Sequence, residues 1–148
     1  GGSNENIIHY HEAFSEAFTA VEGTLGVTKE GEELLLEAGE SVIIEPGTSH
    51  NFFNPTKETI RFEVKLEPGH AGFERALYLY YGLDGDGRAN EDGIDNIYHT
   101  ALFVMMSDTH GDGTLRIMRP LFNRLAGRAQ EIGIEAEVME RYYMSRTR

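Results

Sequence analysis

Neither cysteine nor tryptophan occurs among the 148 residues. Without cysteine there is no disulfide framework, no zinc ribbon and no thiolate nucleophile, and the composition suits a reducing compartment, so a cytoplasmic location is the expectation. Long apolar runs are also missing. The longest, Ala101 to Met106, is far short of the roughly 20 residues that span a bilayer, and no signal-peptide pattern is present, so no membrane partner is expected. Basic residues are scarce: 13 Lys and Arg stand against 25 Asp and Glu, a formal net charge of −12. Phosphate backbones reward basic surfaces, so nucleic acid is not an expected partner. What remains is an acidic chain of 16.6 kDa. A domain near that length buries about 68–70% of its unfolded surface and needs no disulfide or metal merely to fold. Its expected partner is a small molecule.

The charge is uneven. Residues 1–69 hold 13 acids, all Glu, against Lys29, Lys57, Arg61 and Lys65, a net −9; the remainder is only −3. The change falls at the turn Glu67-Pro68-Gly69. Two segments are expected, residues 1–68 and residues 69–148, folded together as one compact domain.

Segment one reads as strand, turn, strand. Phe18–Val21 and Thr24–Thr28 flank Glu22-Gly23 as a hairpin, and Lys29-Glu30-Gly31-Glu32 leads to Leu34–Leu36. Ser41–Ile44 lies between breaks at Ala38-Gly39-Glu40 and Glu45-Pro46-Gly47, and His50–Phe53 and Thr59–Leu66 follow. The alternation of Ile60, Phe62, Val64 and Leu66 marks one buried face. With Ile7–Glu12 this makes about seven strands, the even spacing of an all-β barrel or sandwich.

His9-Tyr10-His11 is the most informative tripeptide. On a strand, side chains two apart share a face, so both imidazoles project together and Tyr10 points away. Imidazole suits Fe, Ni, Cu or Zn, and a carboxylate adds affinity for harder divalent ions. Glu16 stands near the start of the next strand and returns beside the histidines if the two strands pair. His50 opens a later strand after a Gly-Thr-Ser turn. Tyr10, Phe18, Phe52 and Phe62 are core residues first and pocket walls second.

These residues resemble the two motifs of the cupin superfamily of small jelly-roll barrels. The first motif, His, any, His, three or four residues, Glu, six residues, Gly, is matched by His9, His11, Glu16 and Gly23, with Ser3 beside Gly2 where the pattern opens on Gly. The second, Gly, five residues, Pro, any, Gly, two residues, His, three residues, Asn, is matched by Gly39, Gly47, His50 and Asn54, with Glu45 in place of Pro and Pro46 adjacent. The resemblance implies an all-β jelly-roll barrel with an α-helical C-terminal extension. It also implies metal binding by His9, His11, Glu16 and His50, with one divalent transition metal (Fe, Mn, Ni or Zn) and open positions for water or substrate. The alternative is a vestigial site whose residues only hydrogen-bond one another. Cupins include dioxygenases, isomerases, decarboxylases and non-enzymatic binding proteins. The expectation is therefore a metal-dependent oxygenase- or isomerase-type enzyme on a small organic molecule, or a non-catalytic module that binds metal and small ligand for sensing or storage. Only eight residues precede His9, where cupin barrels carry further strands; either the barrel is short on one sheet or its N-terminus lies upstream. A sheet edge left open invites self-association, and a homodimer is expected.

After Gly69 the period becomes helical. Phe73, Ala76, Leu77 and Tyr80 predict one helix, and Asp95 or Asn96 caps a second over Ile97 to Met106, with Ala101, Val104 and Met105 on its apolar stripe. Pro120 is placed as the first residue of a third that turns Leu121, Leu125, Ala129 and Ile132 inward and stops at Gly133; a last one covers Glu135 to Tyr143. Asp84-Gly85-Asp86-Gly87-Arg88-Ala89 fails as a calcium loop, because Arg88 takes the fifth position, Ala89 the required Gly and Asp95 the twelfth. Asp108–Gly113 reads as turn chemistry, and His70 and His99 as structural or surface residues.

Overall fold

The computed structural model describes residues 7–90 and 93–145. Gly2 and Ser3 at the head of the first motif lie outside the described residues. The chain divides into two compact units: residues up to His70 joined by His110–Asp112, and Ala71–Thr109 joined by the chain from Gly113 on.

The first unit contains six strands: β1 (Ser15–Glu22), β2 (Leu25–Lys29), β3 (Glu32–Leu36), β4 (Ser41–Ile44), β5 (His50–Phe53) and β6 (Arg61–Glu67). They form two antiparallel sheets, ordered β4-β1-β6 and β3-β2-β5. Strands distant in the chain pair within each sheet, the crossed connection of Greek-key architecture. Phe18, Ala20 and Ile44 from one sheet and Leu25, Val27 and Leu36 from the other share one buried cluster. Where a closed barrel was expected, no ladder joins the two sheets among the described residues.

The register explains which residues enter this core. Opposite residues of an antiparallel pair lie on one face. Phe18 faces Val42 and Val64, and Glu16 faces Ile44 and Leu66, so Glu16 is carried inward by the same period-2 alternation that buries Phe18 and Ala20. On the second sheet Val27 faces Leu34 and Phe52, and His50, two residues before Phe52, shares that inner face. The expected buried stripe on β6 is weaker at Val64, which is exposed because β6 is an edge strand.

One expected strand is absent. Ile7–Glu12 is not a ladder but two isolated bridges, His9 to His50 and Tyr10 to His110. Successive residues of a strand offer their backbone groups to opposite sides, and here each side finds only one partner before the chain turns away.

The second unit holds α1 (Ala71–Gly85), a small hairpin of β7 (Ala89–Asn90) and β8 (Gly93–Ile94), α2 (Ile97–Met106), α3 (Thr114–Glu131) and α4 (Ile134–Met139), which runs into a π-helical turn at Glu140–Met144. The Asn96 side chain accepts from the Tyr98 N–H at 2.8 Å and sets the start of α2. Helix α3 departs from expectation. It begins at Thr114 and carries Pro120 inside it, because Leu115 and Met118 in the added turns pack on the helical core and offset the lost backbone bond. Its buried face is Phe122, Ala126 and Ala129, while Leu121 and Ile132 are exposed. Of the four residues expected inward, Ala129 is buried and Leu125 packs against the helical core, while Phe122 and Ala126 take the places expected of Leu121 and Ile132. No helix among the described residues is long and apolar enough to cross a membrane.

Candidate metal centre

Turn chemistry places the second-motif histidine. Gly47 adopts φ of 79°, a conformation that glycine takes without steric cost. Its N–H donates to the His11 carbonyl at 2.7 Å. The chain then enters β5 at His50, whose backbone exchanges two bonds with His9, at 3.0 and 2.8 Å. After β5, the Asn54 side chain accepts from the Thr56 N–H and donates to the Glu58 carbonyl, closing the exit turn. The motif thus specifies two turns and, between them, the strand end that carries His50.

His9, His11 and His50 each bring one ring nitrogen within 4.8 Å of the others. The His9 and His11 rings lie edge to face with centroids 5.0 Å apart, and the His9 and His50 rings are 4.6 Å apart. Tyr10 points away, stacked on His110. The alternation expected of a strand therefore holds across the tripeptide although its ladder is one residue long on each side. Glu16 joins the three from the first sheet: its Oε2 lies 2.7 Å from His50 Nε2 and 3.5 Å from His11 Nε2. His11, Glu16 and His50 are 3%, 4% and 1% exposed.

Tautomers follow from the backbone. The Nδ1 of His9 lies 2.7 Å from the Ile7 carbonyl, and that of His50 lies 2.9 Å from the Thr48 carbonyl. A carbonyl only accepts, so Nδ1 carries the proton in both rings, and in the neutral rings Nε2 presents a lone pair to the centre. Such a bond from the distal ring nitrogen is what orients metal-binding histidines. Burial pushes His9 down to about 4; its bond to Ile7 opposes this and the neighbouring His50 and His11 add to it. At neutral pH its lone pair is available.

The Glu16–His50 contact is the clearest sign that these residues fit a cation. The two atoms are within ion-pair distance, yet neither has a partner in hydrogen-bond geometry. A carboxylate oxygen and an imidazole lone pair at 2.7 Å repel unless positive charge lies between them. Neighbouring ligands on an octahedral ion with bonds of about 2.1 Å stand roughly 3 Å apart, close to the separation seen here. The donor set, three imidazoles and a carboxylate, suits a divalent transition ion.

Phenyl rings wall the centre. Phe14 stacks on His11 at 4.7 Å, and Phe18 meets His50 edge-on at 6.0 Å. Phe18 also packs with Phe52 and Phe62 in the core. Phe14 and His110 were not anticipated as neighbours of the site. Phe14 follows His11 by three residues and carried a usable signal; His110 is about a hundred residues away and carried none.

Comparison with known proteins agrees with the N-terminal motifs. The family model described as Cupin domain matches residues 1–64, somewhat under half of the chain. A search of curated proteins finds no match. Among solved structures, a cupin protein from Bacteroides fragilis is similar at 23% identity and a TM-score of 0.41, over 45% of this chain and 55% of that one. With all four ligand positions of the two motifs filled and the family match over the same residues, residues 1–64 are a cupin domain.

Proposed function

We propose that this chain is a metal-binding cupin that holds one divalent ion, Fe, Mn, Ni or Zn, on His9, His11, His50 and Glu16, and that it acts on a small organic molecule at that ion in an oxygenase- or isomerase-type reaction. The approach of Glu16 Oε2 to His50 Nε2 without hydrogen-bond geometry carries the reading. Two acceptors buried face to face are costly without a cation. A bound ion with open positions would polarise a carbonyl or hold an enolate. The protein's own residues would orient the ligands through the Ile7 and Thr48 carbonyls, and the Phe14 and Phe18 rings would exclude water and strengthen the local field.

One observation favours a binding module over an enzyme. His9, His11, Glu16 and His50 are all assigned to the ion, and the rings of Phe14 and Phe18 that border them carry no proton to transfer. Two measurements separate the readings. Metal analysis of purified protein, with titration of the apo form by Fe(II), Mn(II), Ni(II), Co(II) and Zn(II), is expected to give one ion per chain, and no uptake of any of them would end the metal reading. Oxygen consumption by the Fe(II) form with diketones, flavonols and thiols then tests the enzyme. Binding of such compounds without turnover would favour the module.

A further inference from the structure

The bridge between Tyr10 and His110 joins the ligand tripeptide to a residue far outside both cupin motifs. Tyr10 N–H donates to the His110 carbonyl and His110 N–H to the Tyr10 carbonyl, each at 2.9 Å. The two rings stack at 5.2 Å with planes 18° apart. The His110 side chain is 12% exposed. His110–Asp112 belongs to the β unit although the chain enters it from the end of α2 and leaves it toward α3.

This strap supplies one of the two flanks of the ligand segment. On the other flank, His9 exchanges its bonds with His50 and the His11 carbonyl accepts from Gly47. Ile7 and Ile8, immediately before His9, are exposed. Two of the four proposed ligands therefore sit on three residues clamped between β5 and the strap. Because side chains alternate along an extended segment, fixing Tyr10 from one side sets the face that His9 and His11 present on the other. Metal affinity is sensitive to this kind of support: changing groups that orient a ligand typically weakens binding about 10- to 100-fold.

We propose that His110 and Tyr10 are positioning residues of the metal centre, so that a segment outside the cupin motifs holds the His9-His11 pair in register for the ion. The proposal rests on the reading of His9, His11 and His50 as ligands, and wild-type protein in the same experiment tests that reading separately. Co(II) serves as the probe, because its visible absorption reports coordination geometry and its titration gives affinity. His110→Ala and Tyr10→Ala are each expected to weaken Co(II) binding about 10- to 100-fold and to alter the spectrum. His110→Phe, which keeps a stacking ring and the backbone bonds, is expected to restore both. The double variant Tyr10→Ala/His110→Ala is expected to lose no more than either single one, because both remove the same contact.

Far-UV circular dichroism of the apo forms identifies any variant that fails to fold, and His110→Phe then carries the test. Wild-type affinity and spectrum in a folded His110→Ala protein would overturn the proposal. So would equal losses in His110→Phe and His110→Ala, which would assign the effect to an imidazole nitrogen and not to the stack. Failure of wild-type protein to bind Co(II) would overturn the ligand assignment and the strap's role with it.

Discussion

The β unit buries His11, Glu16 and His50 side by side, whereas the helical unit gathers eleven buried residues, all but Tyr142 wholly apolar, into one cluster and buries only His99 and Ser107 among its other polar groups. Several polar groups of the helical unit are paired in the usual way. Ser107 bonds the Phe103 carbonyl and the Thr109 hydroxyl, both at 2.7 Å, and the Tyr142 hydroxyl donates to Asp86 at 2.6 Å. In the β unit, Glu16 and His50 confront each other with no such resolution. Burying a polar group without a partner costs roughly 1–3 kcal/mol by mutational measures. The helical unit leaves His99 Nδ1 and Glu135 Oε2 unpartnered at separate places, whereas the β unit gathers His11 Nε2, Glu16 Oε2 and His50 Nε2 at one.

The largest effect should come from breaking the cluster. His50→Ala is expected to weaken Co(II) or Zn(II) binding by more than about 100-fold, since removing a ligand exceeds the loss from removing its support. In wild-type protein, metal at about 100 times its dissociation constant adds about 2.7 kcal/mol to stability. Amide exchange should register this in β1, β5 and His110–Asp112. Protection gained equally in α2 and α3 would break the contrast between the units.

A smaller effect tests the dry core. Gly82, inside α1, lies beneath the Tyr142 ring, and a Cβ there would overlap it. Gly82→Ala is expected to destabilise by about 1–3 kcal/mol through overpacking, although helix propensity alone favours Ala by about 1 kcal/mol. Metal affinity should not change. A rise in the urea midpoint would show that the ring moves aside at no cost.

The smallest effect is acid sensitivity of the helical unit. Burial, then the nearby Arg88, holds His99 below its ordinary value; the Tyr142 hydroxyl, with Arg141, holds Asp86 below its own. Both groups bind protons more weakly folded than unfolded. Their contribution is therefore complete above the unfolded values, about 6.5 for His99, and is lost as pH falls through the folded ones. Amide exchange in α2 should accelerate as pH falls below 6.5 after correction for intrinsic rates, and His99→Leu should flatten the upper part of that profile. An unchanged profile in His99→Leu would remove His99 from the account.

Much of the site was legible in the chain. The motif spacing singled out His9, His11, Glu16 and His50; the structure gathers ring nitrogens of the three histidines within 4.8 Å, and Glu16 approaches His50 and His11. The strands from β2 to β5 lie close to their expected positions, because short turns with fixed chemistry delimit them. The helical half was read less well. The capped helix α2 begins at Ile97 as expected, but α3 begins six residues before Pro120 and buries Phe122 and Ala126 where Leu121 and Ile132 were expected. Proline at a helix start is a local preference, and it yields when packing by Leu115 and Met118 stabilises more than one backbone bond.

What the amino-acid sequence determined by itself is the spacing of the candidate ligands, the inward alternation that buries Glu16 and His50, and the net acidity of the chain. These depend on residue identity and on periods of two to four residues, which the chain displays directly. Only the tertiary structure decided that the Ile7–Glu12 segment is two bridges and not a strand, that Phe14 walls His11, and that His110 flanks Tyr10. The Tyr10–His110 bridge has no local pattern, because it closes a loop of about a hundred residues. Such a contact forms only when the elements between its ends have folded and brought those ends together.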